Sequence, residues 1–295
     1  MDRARDPLGP DFLCVGMPKS GTAWLGDQLR RHPQFWMPPV QELGYLGRDA
    51  PPLRSANRRL ERIRCRTERR KSTKPSNKNG DADICFLEEI AACTGQPRNI
   101  ETYISLFRHK GSERISGDIS PGYGALEGPV IQQLHERLPG LNALLLVRDP
   151  VERLWSHINM WHRNGKFDPA VSSNLPDFRA YLERAKMPNE GSSPTKIVAH
   201  WSRILPAGRF RYFFFDDIVA RPEFVRGEIL AFLGADPNLG SGDLPAGYNR
   251  KSQSAKLLLT EAIKAVLIEH CAAEIRACAV ELGGCATAWP ARYGL

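Results

Sequence analysis

The chain has no long apolar run, no paired-cysteine motif and no internal repeat, and each absence removes a class of protein. No stretch approaches the roughly 18 consecutive apolar residues of a membrane-spanning helix. The opening Met1-Asp-Arg-Ala-Arg-Asp carries no apolar core of a secretory signal, so a cytoplasmic location without a membrane span is expected. The cysteines, Cys14, Cys65, Cys85, Cys93, Cys271, Cys278 and Cys285, never fall at C-x-x-C spacing. Neither a metal site nor a disulfide framework is therefore predicted. Cys14 belongs to an apolar strand and is expected to be buried and reduced. Cys271 and Cys278 lie a heptad apart on a helix, on one face but too distant to bridge.

What is present is the composition of a soluble globular chain: 295 residues, 42% apolar and 25% charged, enough for one large α/β domain or two small ones. A formal net charge of +8 favours anionic partners without saying which.

The most informative segment is Phe12-Leu-Cys-Val-Gly-Met-Pro-Lys-Ser-Gly-Thr-Ala-Trp24. Phe12 to Val15 is a short apolar run that reads as a buried strand, and Gly16 and Pro18 break it. Apolar positions then return at helical spacing with Trp24, Leu25 and Leu29. Such a turn aims backbone N–H groups and the positive end of a helix dipole at one point, which suits a polyanion. Lys19 and the hydroxyls of Ser20 and Thr22 add a charge and further donors. The order is not that of a Walker A loop, because Lys19 precedes Gly21 instead of following the second glycine.

A second segment repeats the logic. Leu144 to Val147 is short and wholly apolar, as in a buried parallel strand, and Arg148-Asp-Pro-Val-Glu-Arg-Leu-Trp-Ser-His157 follows it. Pro150 suits the first turn of a helix, which places Arg148 at the strand end and Ser156 two turns up. Both then belong to the carboxyl edge of the sheet, where open α/β folds bind ligands. Further on, aromatics at Tyr212 to Phe215 read as a strand. Ile229, Leu230, Phe232 and Leu233 read as the inward face of a helix closed by Gly234. Strand and helix patterns alternate from Phe12 onward, which predicts an α/β, P-loop-like single domain over 1–295 with a central parallel sheet flanked by helices.

Two stretches interrupt this alternation. Arg54 to Lys78 is rich in Arg and Lys, opposed only by Glu61 and Glu68, and the polar run Ser72 to Asp83 closes it. It reads as an insertion over about 54–83, a short basic helix followed by a mobile loop, whose role is a solvated surface, a lid or an acceptor-binding element. Near the C-terminus, Ser254 to Leu282 carries Leu257, Leu258, Ile263, Val266, Leu267 and Ile275, a long amphipathic helix or a pair, stopped by Gly283-Gly284. Trp24, Trp36, Trp155 and Trp161 fit core packing better than sugar stacking.

The order Pro-Lys-Ser-Gly-Thr resembles the 5′-phosphosulfate loop of the sulfotransferases that use 3′-phosphoadenylyl sulfate as donor. The Arg-Asp-Pro-x-x-Arg segment with its later serine resembles their 3′-phosphate site, and Asn249-Arg-Lys-Ser252 resembles the basic segment that closes over the donor's nucleotide. The resemblance spans about Phe12 to Trp289 and points to the bacterial or carbohydrate-acting side of that family. It implies donor contacts from Lys19, Ser20, Gly21, Thr22, Ala23, Trp24, Arg148, Ser156, Arg250 and Lys251. It also implies a metal-independent transfer of the sulfuryl group to a hydroxyl of a sugar, natural product or other small acceptor, with Lys19 stabilising the leaving oxygen.

His32-Pro, then Glu42 before Tyr45-Leu46, resembles the family's segment that carries a general-base glutamate, so the role passes to Glu42. Gln41 stands where many members have lysine. Gly117-Asp118-Ile119-Ser120-Pro121-Gly122-Tyr123 resembles the stretch lining the acceptor cleft, which implies substrate contacts from Asp118, Ser120 and Tyr123. Asp118 and His157 remain alternative bases. Two rival functions stand beside this one. A nucleotide-dependent kinase or other phosphotransferase is disfavoured by the missing Walker lysine. An anion- or nucleic-acid-binding protein is disfavoured because the basic stretch lacks interleaved aromatics and no recognised module is present, so no nucleic-acid partner is expected.

Overall fold

A computed structural model describes residues 8–47, 61, 81–93, 96–185, 192–240, 244–248 and 256–295. Four parallel strands form its centre: β1 (Phe12–Gly16), β2 (Gly117–Ile119), β3 (Asn142–Val147) and β4 (Phe210–Phe214), in the order β2-β1-β3-β4. The expected α/β architecture, a central parallel sheet flanked by helices, is what the chain adopts. The central strands β1 and β3 are short, fully buried and nearly continuous in apolar residues because helices cover both faces.

The pleat sorts side chains between two cores. Leu13, Val15, Leu145 and Val147 face one core, and Phe12, Cys14, Leu144 and Leu146 face the other. On the first face lie α5 (Pro150–Arg163), α7 (Pro194–Ile204) and α10 (Glu261–Glu281), through Leu154, Ile197 and Leu267 among others. On the second lie α1 (Thr22–Arg31) and α9 (Pro222–Leu233), through Leu25, Leu29, Ile229 and Leu230. Among the described residues the other α-helices with defined bounds are α2 (Asp81–Ala92), α3 (Ile100–Ser105), α4 (Gly128–Arg137), α6 (Leu175–Arg184), α8 (Phe215–Ala220) and α11 (Trp289–Tyr293).

Several boundaries differ from the sequence reading, each for a local reason. The aromatic strand begins at Phe210 and ends at Phe214; Phe215 opens α8, whose first turn holds Asp216 and Asp217, favourable at a helix N-terminus. The C-terminal pattern is one helix that starts at Glu261, because Thr260 caps it by accepting the Ile263 N–H at 3.2 Å. Asp81 to Asp83 are helical, so the polar run ends before them. Gly234 closes α9 in the left-handed conformation, as expected. The Arg54–Lys78 stretch lies outside the described residues apart from Glu61.

The edge strand β2 is pinned by a close approach. A Cβ placed on Gly117 would sit 2.4 Å from the Phe12 ring and 2.5 Å from the Phe12 carbonyl oxygen, and the latter belongs to backbone that cannot yield without breaking the β1–β2 register. Gly117→Ala is predicted to lower the unfolding free energy by about 2 kcal/mol or more, read as a shift in the urea midpoint at unchanged slope. A midpoint equal to wild type would show that β2 moves away freely.

Candidate active site

In the order β2-β1-β3-β4 the chain leaves β1 toward one edge and later returns on its other side, so the carboxyl ends of β1 and β3 flank the switch point. After β1 the chain turns through Pro18 to Gly21 into α1. Gly21 sits at the N-cap with φ 101, where a side chain would be strained and would press on the Phe215 ring. No side chain caps α1, and its first turn holds no acid. Its positive end is left for an outside anion. The Ser20 hydroxyl, fully buried beside it, has no hydrogen-bond partner among the described residues.

The end of β3 supplies Arg148, which is held on three sides. Its guanidinium donates to the Lys19 carbonyl at 3.2 Å and to Glu152 Oε2 at 2.9 Å, and it lies 4.7 Å over the Phe215 ring. The next residue, Asp149, caps α5 by accepting the N–H groups of Val151 and Glu152. Its other oxygen receives Tyr293 and Arg292 at 2.8 and 3.0 Å. The C-terminal helix α11 thereby closes one side of the crevice.

Between these elements opens a cleft of about 1050 Å³. Lys19, Gly21, Thr22, Ala23, Glu42, Arg148 and Ser156 all line it. Residues from three separate segments are thus brought together. Glu152, Ser156, Asn159 and Arg163 continue along one face of α5, a helical spacing that the sequence displays but that reading stopped short of using. Arg292 and Tyr293 also line the cleft, and no local signal announces them.

Charge in the cleft is uneven. Burial pushes the Lys19 ammonium below the ordinary lysine value, and repulsion from Arg163 and Arg148 lowers it further, against the pull of Glu42. Burial pushes the Glu42 carboxyl up, opposed by nearby Lys19. His157 is lowered to about 4 by burial, Arg153 and Lys19, so its ring is neutral at pH 7. Lys19 and Glu42 are also the only non-glycine residues with positive φ among the described ones, at 71 and 56. Such backbone costs about 1–3 kcal/mol each and persists where surrounding structure over-determines it.

Other expected site residues stand elsewhere. Asp118, Ser120 and Tyr123 do not reach the cleft wall, because each is about 1% exposed and their polar atoms turn inward on one another. Trp24 is buried too, its indole donating to the Ala246 carbonyl at 2.7 Å. Trp155, partly buried against the core, also lines the cleft. Arg250 and Lys251 lie outside the described residues. Among the described residues no group of three or more His, Cys, Asp or Glu could hold a metal ion.

This combination, an uncapped helix end after β1 and an arginine after β3 at a switch point, belongs to proteins that hold a nucleotide-like polyanion at the sheet edge. The model of the sulfotransferase family matches residues 10–238, most of the chain, and the chain belongs to that family. A sulfotransferase from Alicyclobacillus acidocaldarius shares the fold with a TM-score of 0.61 at 18% identity, over 95% of this chain and 98% of that one. The sulfotransferase domain of the Synechococcus PCC 7002 olefin synthase is similar at 17% identity and a TM-score of 0.48, over 91% and 90% of the two chains. A search of curated proteins gives no significant match.

The crowding of cations carries a stability consequence. A lysine whose pKa is lowered on folding binds fewer protons folded than unfolded, so it costs stability at neutral pH and the cost fades as pH climbs toward 10.5. Lys19→Met should therefore melt higher than wild type at pH 7 and low salt, without ligand, and the gain should shrink in high salt. A lower melting temperature at low salt would mean that Lys19 is compensated by contacts other than these.

Proposed function

We propose that the protein transfers the sulfuryl group of 3′-phosphoadenylyl sulfate to a hydroxyl of a sugar, natural product or other small acceptor, as one domain acting in the cytoplasm without a metal. The observation that carries the reading is the meeting of the uncapped α1 N-terminus, Lys19 and Arg148 at the switch point, with Glu42 the carboxylate beside Lys19. Donor charge fits this chain's residues: Ser20, Gly21, Thr22 and Ala23 supply hydroxyls and the helix end for the 5′ side, with Trp24 fixing the helix from below. Arg148 and Ser156 face the 3′-phosphate, and Arg250 and Lys251 add charge over the nucleotide.

The donor, when bound, supplies an electrophilic sulfur whose bond to the 5′-phosphate oxygen breaks as the acceptor oxygen bonds to it. Negative charge grows on the departing oxygen, and a cation fixed there lowers the barrier selectively. Lys19 takes that part. The acceptor hydroxyl must lose its proton, and the deprotonated Glu42, placed beside Lys19, receives it on a carboxylate oxygen. The products are a sulfate ester and adenosine 3′,5′-diphosphate. Burial, which raises the Glu42 pKa, makes the carboxylate a better base than an exposed one, and Lys19 opposes that shift.

A screen of acceptor classes with labelled donor, read by the mass of one added sulfate, identifies the acceptor. With an aliphatic alcohol so found, Glu42→Gln should cut turnover by about a hundredfold to ten-thousandfold and leave affinity for adenosine 3′,5′-diphosphate nearly intact. The wild-type rate should fall toward acid through a pKa above that of an exposed glutamate, since the base works only when deprotonated. Near-normal turnover of Glu42→Gln would refute its role. An acid limb that survives in the variant would assign that limb to Asp118, whose burial raises it to about 6.

A further inference from the structure

Glu42 sits in a segment without regular secondary structure, behind Pro38 and Pro39, yet a base must be held to a fraction of an ångström to act. The hydrogen bonds that hold this segment run to one place. The Glu42 N–H donates to the Ile119 carbonyl at 3.1 Å, the Gly44 N–H to Ser120 Oγ at 2.8 Å and the Leu46 N–H to the Tyr123 hydroxyl oxygen at 3.3 Å. Two of the three acceptors are side-chain hydroxyls, which can face either way: each has one proton to give and lone pairs to offer.

Asp118 decides the direction. Its carboxylate, acceptor-only when ionised, takes the Ser120 proton at 2.6 Å on one oxygen and the Tyr103 proton at 3.2 Å on the other, and Tyr123 also hydrogen-bonds to it. With their protons committed to Asp118, Ser120 and Tyr123 present lone pairs to the Gly44 and Leu46 N–H groups. Tyr45 stacks on Tyr103 at 5.7 Å between ring centres, so the same loop is also gripped by packing. Burial of all four side chains keeps water from competing for these bonds.

We propose that Asp118, Ser120 and Tyr123 are positioning residues that orient the Glu42 loop from beneath, and that they act on the acceptor through Glu42 without touching it. This rests on the reading of Glu42 as the proton acceptor. It accounts for a buried acid and two hydroxyls just behind the cleft and for the left-handed backbone at Glu42 (φ 56) and Gly44 (φ 59), which the three loop bonds over-determine.

The test is a double-mutant cycle on turnover with an aliphatic alcohol acceptor. Tyr123→Phe and Ser120→Ala should each lower turnover about tenfold to a hundredfold in the wild-type background, with affinity for adenosine 3′,5′-diphosphate unchanged within about twofold. In the Glu42→Gln background the same substitutions should cost less than about twofold, because no base remains to be misplaced. Asp118→Asn, which can take fewer of the hydroxyl protons, should match them; if it does not fold, Tyr123→Phe alone carries the test. Full turnover of Tyr123→Phe, or an equal loss in both backgrounds, overturns the proposal while leaving Glu42 as base. Normal turnover of Glu42→Gln itself overturns the reading of Glu42 and the positioning role with it.

Discussion

Burial of the Lys19 ammonium after β1, in a cleft where Arg163 and Arg148 also repel it, is the constraint around which the site is arranged. Like charges brought together and partly desolvated cost free energy in the empty protein, and a bound polyanion returns it. The rest of the fold makes that cost bearable. Both faces of the sheet are sealed by apolar side chains, so the strand ends cannot splay to separate the charges. Arg148 is fixed by Glu152, the Lys19 carbonyl and the Phe215 ring, while Asp149 and Asp216 tie down Arg292 from α11. Arg148 and Arg292 are therefore held in place before any ligand arrives, which is what electrostatic stabilisation of a developing charge requires.

Glu42 is the counterpart of that charge. It stands close enough to Lys19 for each to oppose the other's burial shift, and both residues occupy backbone conformations that ordinary side chains avoid. Strain at a site needs a rigid surrounding to sustain it. For Lys19 that surrounding is the turn between β1 and α1; for Glu42 it is the bonds to Ile119, Ser120 and Tyr123.

How much of this was legible in sequence depends on how local each feature is. The β1 loop and Arg148 with Ser156 could be read because each is one strand running into one helix, with glycine and proline marking the turn. Asp118, Ser120 and Tyr123 were placed at the cleft because their segment resembles the stretch that lines the acceptor cleft in the family. Their inward turn depends on Tyr103 of α3 and on the loop around Gly44, partners 15 and 76 residues away from Asp118 and Ser120 respectively. Arg163 was within reach by extending the α5 face two turns past Ser156. Arg292 was not, since it reaches the site only because α11 packs back against Asp149 and Asp216. Strand β4 ends one residue before its run of aromatics does, because the two aspartates that follow Phe215 set the helix start.

The central claim is that the cleft is shaped for a nucleotide carrying phosphate at both its 3′ and 5′ positions. Calorimetric titration of the full chain with adenosine 3′,5′-diphosphate, 5′-AMP and ATP with Mg²⁺ tests it without knowledge of the acceptor. Charge-assisted contacts from Arg148 and Ser156 to the 3′-phosphate should make the diphosphate bind at least about tenfold more tightly than 5′-AMP. ATP with Mg²⁺ should be no better than 5′-AMP. Tighter binding of ATP with Mg²⁺ than of the diphosphate would contradict the account and return the cleft to phosphoryl chemistry.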